Sequence, residues 1–210
     1  MNIIRRPFKY RNDNIVLVII GINVLVYLGQ MFLRQLNLVL FLSLFPPLIF
    51  RGWFWQFITY MFVHDPRSMS HLIFNMFALF IFGRNVERQM GSTEFLLYYL
   101  LTGVLAGVFS FFAYLVTGNV LIYLMGASGA VFAVQLAFAT FFPSSIIYIW
   151  GILPLRAPVM VLGFTALELF FLVTGAGGNV AHSTHLAGFA FGWIYFVVRF
   201  GINPWKAMRR

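Results

Sequence analysis

The chain has 210 residues, 61% of them hydrophobic and 9% charged, with a mean hydropathy of +0.90. Such a composition excludes a soluble domain of this length and defines a polytopic membrane protein whose core lies in or near the lipid bilayer. The net charge is +9, but the fourteen basic residues are scattered around the apolar runs, which argues against nucleic acid as a partner. Cysteine is absent, which removes disulfides, thiolate metal sites and a cysteine nucleophile.

Residues 1–13 form a short basic amino terminus carrying Arg5, Arg6, Lys9 and Arg11. The apolar run 14–32 that follows is long enough to span. It leads into Leu33-Arg34-Gln35 with no small-residue cleavage site, so a retained first helix with a cytoplasmic amino terminus is expected. Residues 34–70 are hydrophobic without being a clean span: Pro46-Pro47 interrupts them, and Trp53-Phe54-Trp55 follows Arg51. Aromatics beside a charge suit an interface, so this first external loop is expected to be short helices partly embedded in the outer leaflet.

Further spans are expected over about 71–86, 95–116, 126–142, 159–173 and 182–200, with a flexible connector from Gly175 to Asn179 and a basic cytoplasmic tail at 201–210. The third carries a small-residue face of Gly103, Gly107 and Ser110. The expected fold is therefore an all-α integral membrane protein with six transmembrane helices over 14–200. With both termini inside, eleven basic residues fall on the cytoplasmic side and three, Arg34, Arg51 and Arg67, outside.

The fourth span opens with Gly126-Ala127-Ser128-Gly129 and ends at Phe142-Pro143. A helix from residue 126 to 142 would be about 25 Å long, short of a ~30 Å hydrocarbon core, which puts Ser128 below the outer surface. His64, His71, His182 and His185 fall at the same level, at the outer ends of spans two and six. Polar groups at membrane depth are costly and point to function.

His71 and Asn75 share one helical face. On span six, Gly188 and Gly192 continue the stripe of His185 and remove bulk, so that this face can pack against Gly129 and Ala133 of span four. His185 would then reach the Ser128 hydroxyl. A serine needs a base to take its proton, and imidazole serves near neutral pH. His71, Asn75 and the free backbone N–H of Ser128 could face a developing oxyanion. This is a parts list for acyl transfer to water. A four-histidine metal site is the poorer account, because it leaves Ser128 and Asn75 without a role and there is no His-Glu-x-x-His helix.

Gly126-Ala127-Ser128-Gly129, His71-Leu72-Ile73-Phe74-Asn75 and His185-Leu186-Ala187-Gly188-Phe189-Ala190-Phe191-Gly192, in this order, resemble the rhomboid family of intramembrane serine proteases. The resemblance implies that Ser128 is the nucleophile and His185 the general base of a dyad with no acidic third member. It places His71 and Asn75 in the oxyanion hole, and Gly126, Gly129, Gly188, Gly192 and Phe132 in support. Phe132 stands one turn after Ser128, where an aromatic stacking on the base is expected. His64 lies farther from His71 than the family pattern leads one to expect, and its role stays open, as do those of His182 and Glu168. The resemblance further implies transmembrane protein substrates with helix-destabilising residues, no metal and no organic cofactor, in a bacterial inner (plasma) membrane. The alternative is a catalytically silent rhomboid-like binder of membrane clients, in which retention of both Ser128 and His185 has no purpose.

Overall fold

The structure, a computed structural model, describes residues 3–149, 151–176 and 182–209. Of the expected Gly175–Asn179 connector only Gly175 and Ala176 lie among them, and Arg210 of the tail lies outside them. Among the described residues, four helical segments are long and apolar enough to cross a membrane: Ile15–Phe32, Met69–Met90, Ser92–Thr117 and Ala157–Thr174.

The first of these, α1 (Ile15–Phe32), starts on a carboxylate from elsewhere in the chain. Glu87 accepts from the backbone N–H groups of Ile15 (2.7 Å) and Val16 (3.0 Å), where unpaired donors and the helix dipole both favour an anion. The Ser92 hydroxyl donates to the same carboxylate at 2.5 Å.

Between residues 33 and 68 the chain makes the short helices α2 (Leu38–Leu42), α3 (Pro46–Ile49) and α4 (Gln56–Thr59) and a 3-10 turn at Tyr60–Phe62. With so little regular ladder, side chains must satisfy the backbone. The buried Gln56 amide donates to the Leu40 carbonyl and accepts from the Phe45 N–H, and Thr59 donates to the Leu42 carbonyl. This segment explains the small face on the next long helix. Tyr60 lies against Gly107 and donates to the Gly103 carbonyl at 2.6 Å, and Met61 fills the space beside Gly103.

Helix α5 (Met69–Ala78) runs through a π turn at Leu79–Gly83 into α6 (Arg84–Met90), and α7 (Ser92–Thr117) follows after Gly91, whose φ of +85° makes the reversal. The return segment pairs Leu124 with Leu44 through two backbone hydrogen bonds and then enters α8 (Ser128–Phe141). This helix begins two residues later than the sequence suggests, because Gly126 has φ +118° and cannot continue a right-handed turn. Its 14 residues make it about 21 Å long. Eleven of them are buried, so α8 is the central post of the bundle.

The all-α expectation needs one correction. The connector after Pro143 is an antiparallel hairpin of β1 (Ile146–Ile149) and β2 (Leu153–Arg156), with Ile146 opposite Arg156 and Ile149 opposite Leu153. The run Ile146-Ile147-Tyr148-Ile149 has the β-branched and aromatic content of a strand, and Gly151, at φ +72°, takes the turn.

Helix α9 (Ala157–Thr174) buries only Ala157, Pro158, Met160 and Val161, all in its first turn and a half. Helix α10 (His182–Tyr195) continues through a π turn at Phe196–Phe200 to the short α11 (Pro204–Met208). At this end the Arg199 guanidinium grips the Glu94 carboxylate through two nitrogens, at 2.7 and 2.6 Å, and the Tyr195 hydroxyl donates to Glu94 as well. The start of α7 is thereby locked to the end of α10.

Candidate active site

Close approach of α8 and α10 is a consequence of glycine. A Cβ at Gly188 would lie 1.9 Å from the Gly129 carbonyl oxygen, and one at Gly192 would lie 3.1 Å from the Ala133 Cβ and 2.6 Å from the Tyr98 hydroxyl. That hydroxyl donates to the Ala133 carbonyl at 2.6 Å, and Ser110 and Thr184 share a 2.6 Å hydrogen bond between α7 and α10. Three helices therefore meet with little freedom to slide.

One result of this contact is that His185 Nε2 lies 2.7 Å from Ser128 Oγ. The serine is half-buried at the first position of α8, and the His185 side chain is 11% exposed. The Phe132 ring, one turn along α8, stacks on the imidazole with centroids 4.7 Å apart and planes 9° from parallel. With its proton on Nδ1, His185 presents a bare Nε2 to the hydroxyl.

His71 approaches from the other side. A Cβ at Gly126 would lie 2.8 Å from His71 Nε2 and 3.8 Å from Ser128 Oγ, so the missing side chain leaves a small gap between imidazole and hydroxyl. The Asp65 N–H points at His71 Nδ1 across 3.5 Å, a long contact that favours the tautomer with the proton on Nε2, facing the gap. Asn75 sits one turn below His71 and commits one amide N–H to the His71 carbonyl at 2.8 Å. The Ser128 N–H lies in the first turn of α8 and has no acceptor within its own helix.

His64 is fully buried, and neither ring nitrogen has a hydrogen-bond partner. Its peptide group is clamped by Gln30 of α1, whose amide donates to the His64 carbonyl at 2.7 Å, and its ring packs edge-on against His71 with centroids 5.0 Å apart. Burial, with a lesser contribution from the charge of His71, pushes the His64 imidazole down to about 3. His64 is thus a neutral wall behind His71.

Glu168, like His182, is a residue whose role the sequence left open. Its Oε2 lies 2.6 Å from His182 Nδ1 and 3.1 Å from His185 Nδ1. The His182 contact is a well-formed hydrogen bond; the His185 contact is close, but the Nδ1–H points off line. The available signal was that Glu168 is the lone acid deep in an apolar run. Its partners were illegible because they depend on how α9 turns toward α10.

The three ligand-type atoms of Glu168, His182 and His185 lie within 4.8 Å of one another. Around a tetrahedral zinc with bonds near 2.0–2.2 Å the ligand atoms would stand about 3.3 Å apart. A separation of 2.6 Å is that of a shared proton.

The class defined by these features is a polytopic helical membrane protein with a serine hydroxyl and an imidazole paired at the end of a short central helix. Residues 51–202 match the Rhomboid domain, and the chain belongs to the rhomboid family. It is 27% identical over 198 residues to the rhomboid protease AarA of Providencia stuartii, covering 82% of this chain and 67% of that one. It is also 38% identical over 128 residues to the chloroplastic rhomboid-like protein 11 of Arabidopsis thaliana, covering 61% of this chain and 41% of the relative. Against the rhomboid protease GlpG of Haemophilus influenzae it is 29% identical over 133 residues, covering 61% and 63%.

Proposed function

We propose that this chain is an intramembrane serine endopeptidase that hydrolyses a peptide bond in or near a transmembrane segment of another membrane protein. The observation that carries the reading is the 2.7 Å approach of His185 Nε2 to Ser128 Oγ at the start of α8. Family membership, with relatives named as proteases, supports it from a second direction.

In this reading Ser128 Oγ attacks the substrate carbonyl carbon as its proton passes to His185 Nε2, and the carbonyl π electrons move to oxygen. His71 Nε2–H, an amide N–H of Asn75 and the Ser128 backbone N–H stabilise that oxyanion. As the tetrahedral carbon collapses, the C–N bond breaks and the Nε2 proton goes to the leaving amine, which leaves an acyl-serine. Water then attacks the acyl carbon and gives a proton to Nε2, and as the tetrahedral carbon collapses the C–Oγ bond breaks, that proton returns to Oγ, and the new carboxyl terminus leaves. Residues of the chain supply every proton transfer, and a cofactor has no assigned step.

A substrate helix must unwind to offer a carbonyl, because a regular helix holds its carbonyls in backbone hydrogen bonds. Small or helix-breaking residues are therefore the preferred cleavage context. We assign six spans, adding α8 and the 182–200 helix to the four longer segments, with both termini on the cytoplasmic side of a bacterial plasma membrane and the lipid bilayer around the bundle.

The test uses purified wild type and Ser128→Ala in detergent or liposomes. The wild type is expected to react with a fluorophosphonate at Ser128 and to cut a reporter helix, and Ser128→Ala to do neither. Equal cutting by the variant overturns the mechanism, and absence of cutting by both favours a silent binder of membrane clients.

A further inference from the structure

Resting on that reading, we propose that Glu168 is a positioning residue for the base: held by His182, its carboxylate orients His185 and stabilises it when it carries the Ser128 proton. The family resemblance implies a histidine with no acidic companion, and here the chain departs from it.

Four side chains form one line across three helices. Ser128 Oγ on α8 is 2.7 Å from His185 Nε2 on α10, and His185 Nδ1 is 3.1 Å from Glu168 Oε2 on α9. The same oxygen is 2.6 Å from His182 Nδ1, one helical turn before His185. An imidazole has two nitrogens and, when neutral, one proton. A carboxylate beside Nδ1 selects the tautomer with the proton there and leaves Nε2 free to accept from serine. When Oγ bonds to the substrate carbon and its proton moves to Nε2, the imidazolium so formed faces an anion already in place. Glu168 accepts from His182 at rest, gains the His185 Nδ1–H once that ring is charged, and takes no proton.

A carboxylate in an apolar span is costly, and the neighbours of Glu168 on α9, Leu167, Leu169 and Phe170, are exposed to the lipid side. The hydrogen bond from His182 offsets part of that cost and sets the carboxylate's direction. His182 packs at right angles to His185, with ring centroids 6.4 Å apart, so the two donors reach one oxygen without touching each other. The off-line approach to His185 Nδ1 in the resting state lets the contact improve as the ring becomes charged.

The experiment compares wild type, Glu168→Gln, Glu168→Asp and His182→Ala in liposomes, with kcat, KM and the pH profile measured on a reporter helix. Glu168→Gln is expected to lower kcat by roughly 10- to 100-fold, below the effect of losing the base itself, and to leave KM within about twofold. Its pH profile should differ from that of wild type, which a merely structural role would not produce. Glu168→Asp should recover part of the rate, and His182→Ala should cost less than Glu168→Gln.

A second readout is independent of turnover. In 15N-histidine-labelled protein the nitrogen shifts of His185 should mark Nδ1 as the protonated ring nitrogen, and that Nδ1–H signal should weaken in Glu168→Gln. Unchanged kcat, an unchanged pH profile or an unaltered Nδ1–H signal overturns the proposal while leaving Ser128 chemistry intact. Loss of activity on adding a chelator to wild type also overturns it, by making the cluster a metal site. If wild type cuts nothing, the protease reading fails, and the Nδ1–H signal still decides whether Glu168 holds His185.

Discussion

His64 illustrates how a single side chain can carry a cost that the packing around it conceals. Both ring nitrogens are buried and unpartnered, His71 stands against the ring, and Gln30 holds only the backbone. Protonation would place an unsolvated cation there, so the folded-state value falls to about 3, below the ordinary 6.5 of an unfolded histidine. Stability from this residue is therefore fully present above about pH 6.5 and is lost progressively as the pH falls toward 3. By linkage the loss at pH 5 is about 2 kcal/mol. Thermal unfolding in detergent between pH 8 and 4.5 is expected to show wild type and His64→Phe running parallel above pH 6.5 and diverging below it, with the variant less acid-sensitive. Curves that stay parallel throughout would place the titration elsewhere.

The crossing of α8 and α10 is the element-scale counterpart, and it rests on the absence of a side chain. Gly188 has no room for a Cβ, since the Gly129 carbonyl oxygen is 1.9 Å from where it would sit and is backbone. Gly188→Ala must push the helices apart by an ångström or more. Overpacking of this kind costs about 1–3 kcal/mol, and a 1 Å displacement of reacting groups costs about 100-fold in rate. The expected outcome is a folded but less stable protein with reporter-helix kcat reduced at least about 100-fold. Gly163→Ala on α9, where nothing lies within 4 Å, is expected to be neutral or stabilising by about 0.5–1 kcal/mol. Matching rates in the two variants would remove the crossing from the mechanism. The glycine stripe was legible because helical periodicity puts residues four apart on one face. The ends of the elements were less so: the positive φ of Gly126 delays α8, and the hairpin at Ile146–Arg156 falls in the connector between the spans expected at 126–142 and 159–173. The Glu168 contacts join α9 to α10 through space and have no sequence period to announce them.

At the scale of the whole molecule, charge and chemistry sit at opposite ends of the helices. Arg199 and Glu94 lock the end of α10 to the start of α7, near the basic amino terminus, whose Arg5 donates to the Val198 carbonyl. Ser128, His71 and His185 lie at the far ends of α8, α5 and α10, close to the segment that carries Arg67, whose side chain is 88% exposed. Because positive charge is held on the cytoplasmic face during insertion, the proposed topology puts the amino-terminal cluster and the tail there and Arg67 opposite. The absence of cysteine makes the assignment directly testable with Lys9→Cys, Lys206→Cys and Arg67→Cys and a membrane-impermeant maleimide on intact cells. Arg67→Cys is expected to label at once, and Lys9→Cys and Lys206→Cys only after permeabilisation. Labelling of Lys9→Cys and Lys206→Cys on different sides would rule out any even number of spans, and with it the assignment of both α8 and the 182–200 helix as crossings. The reverse pattern would keep the six spans and turn the serine toward the cytoplasm, where its substrates would have to be cut from the inner face.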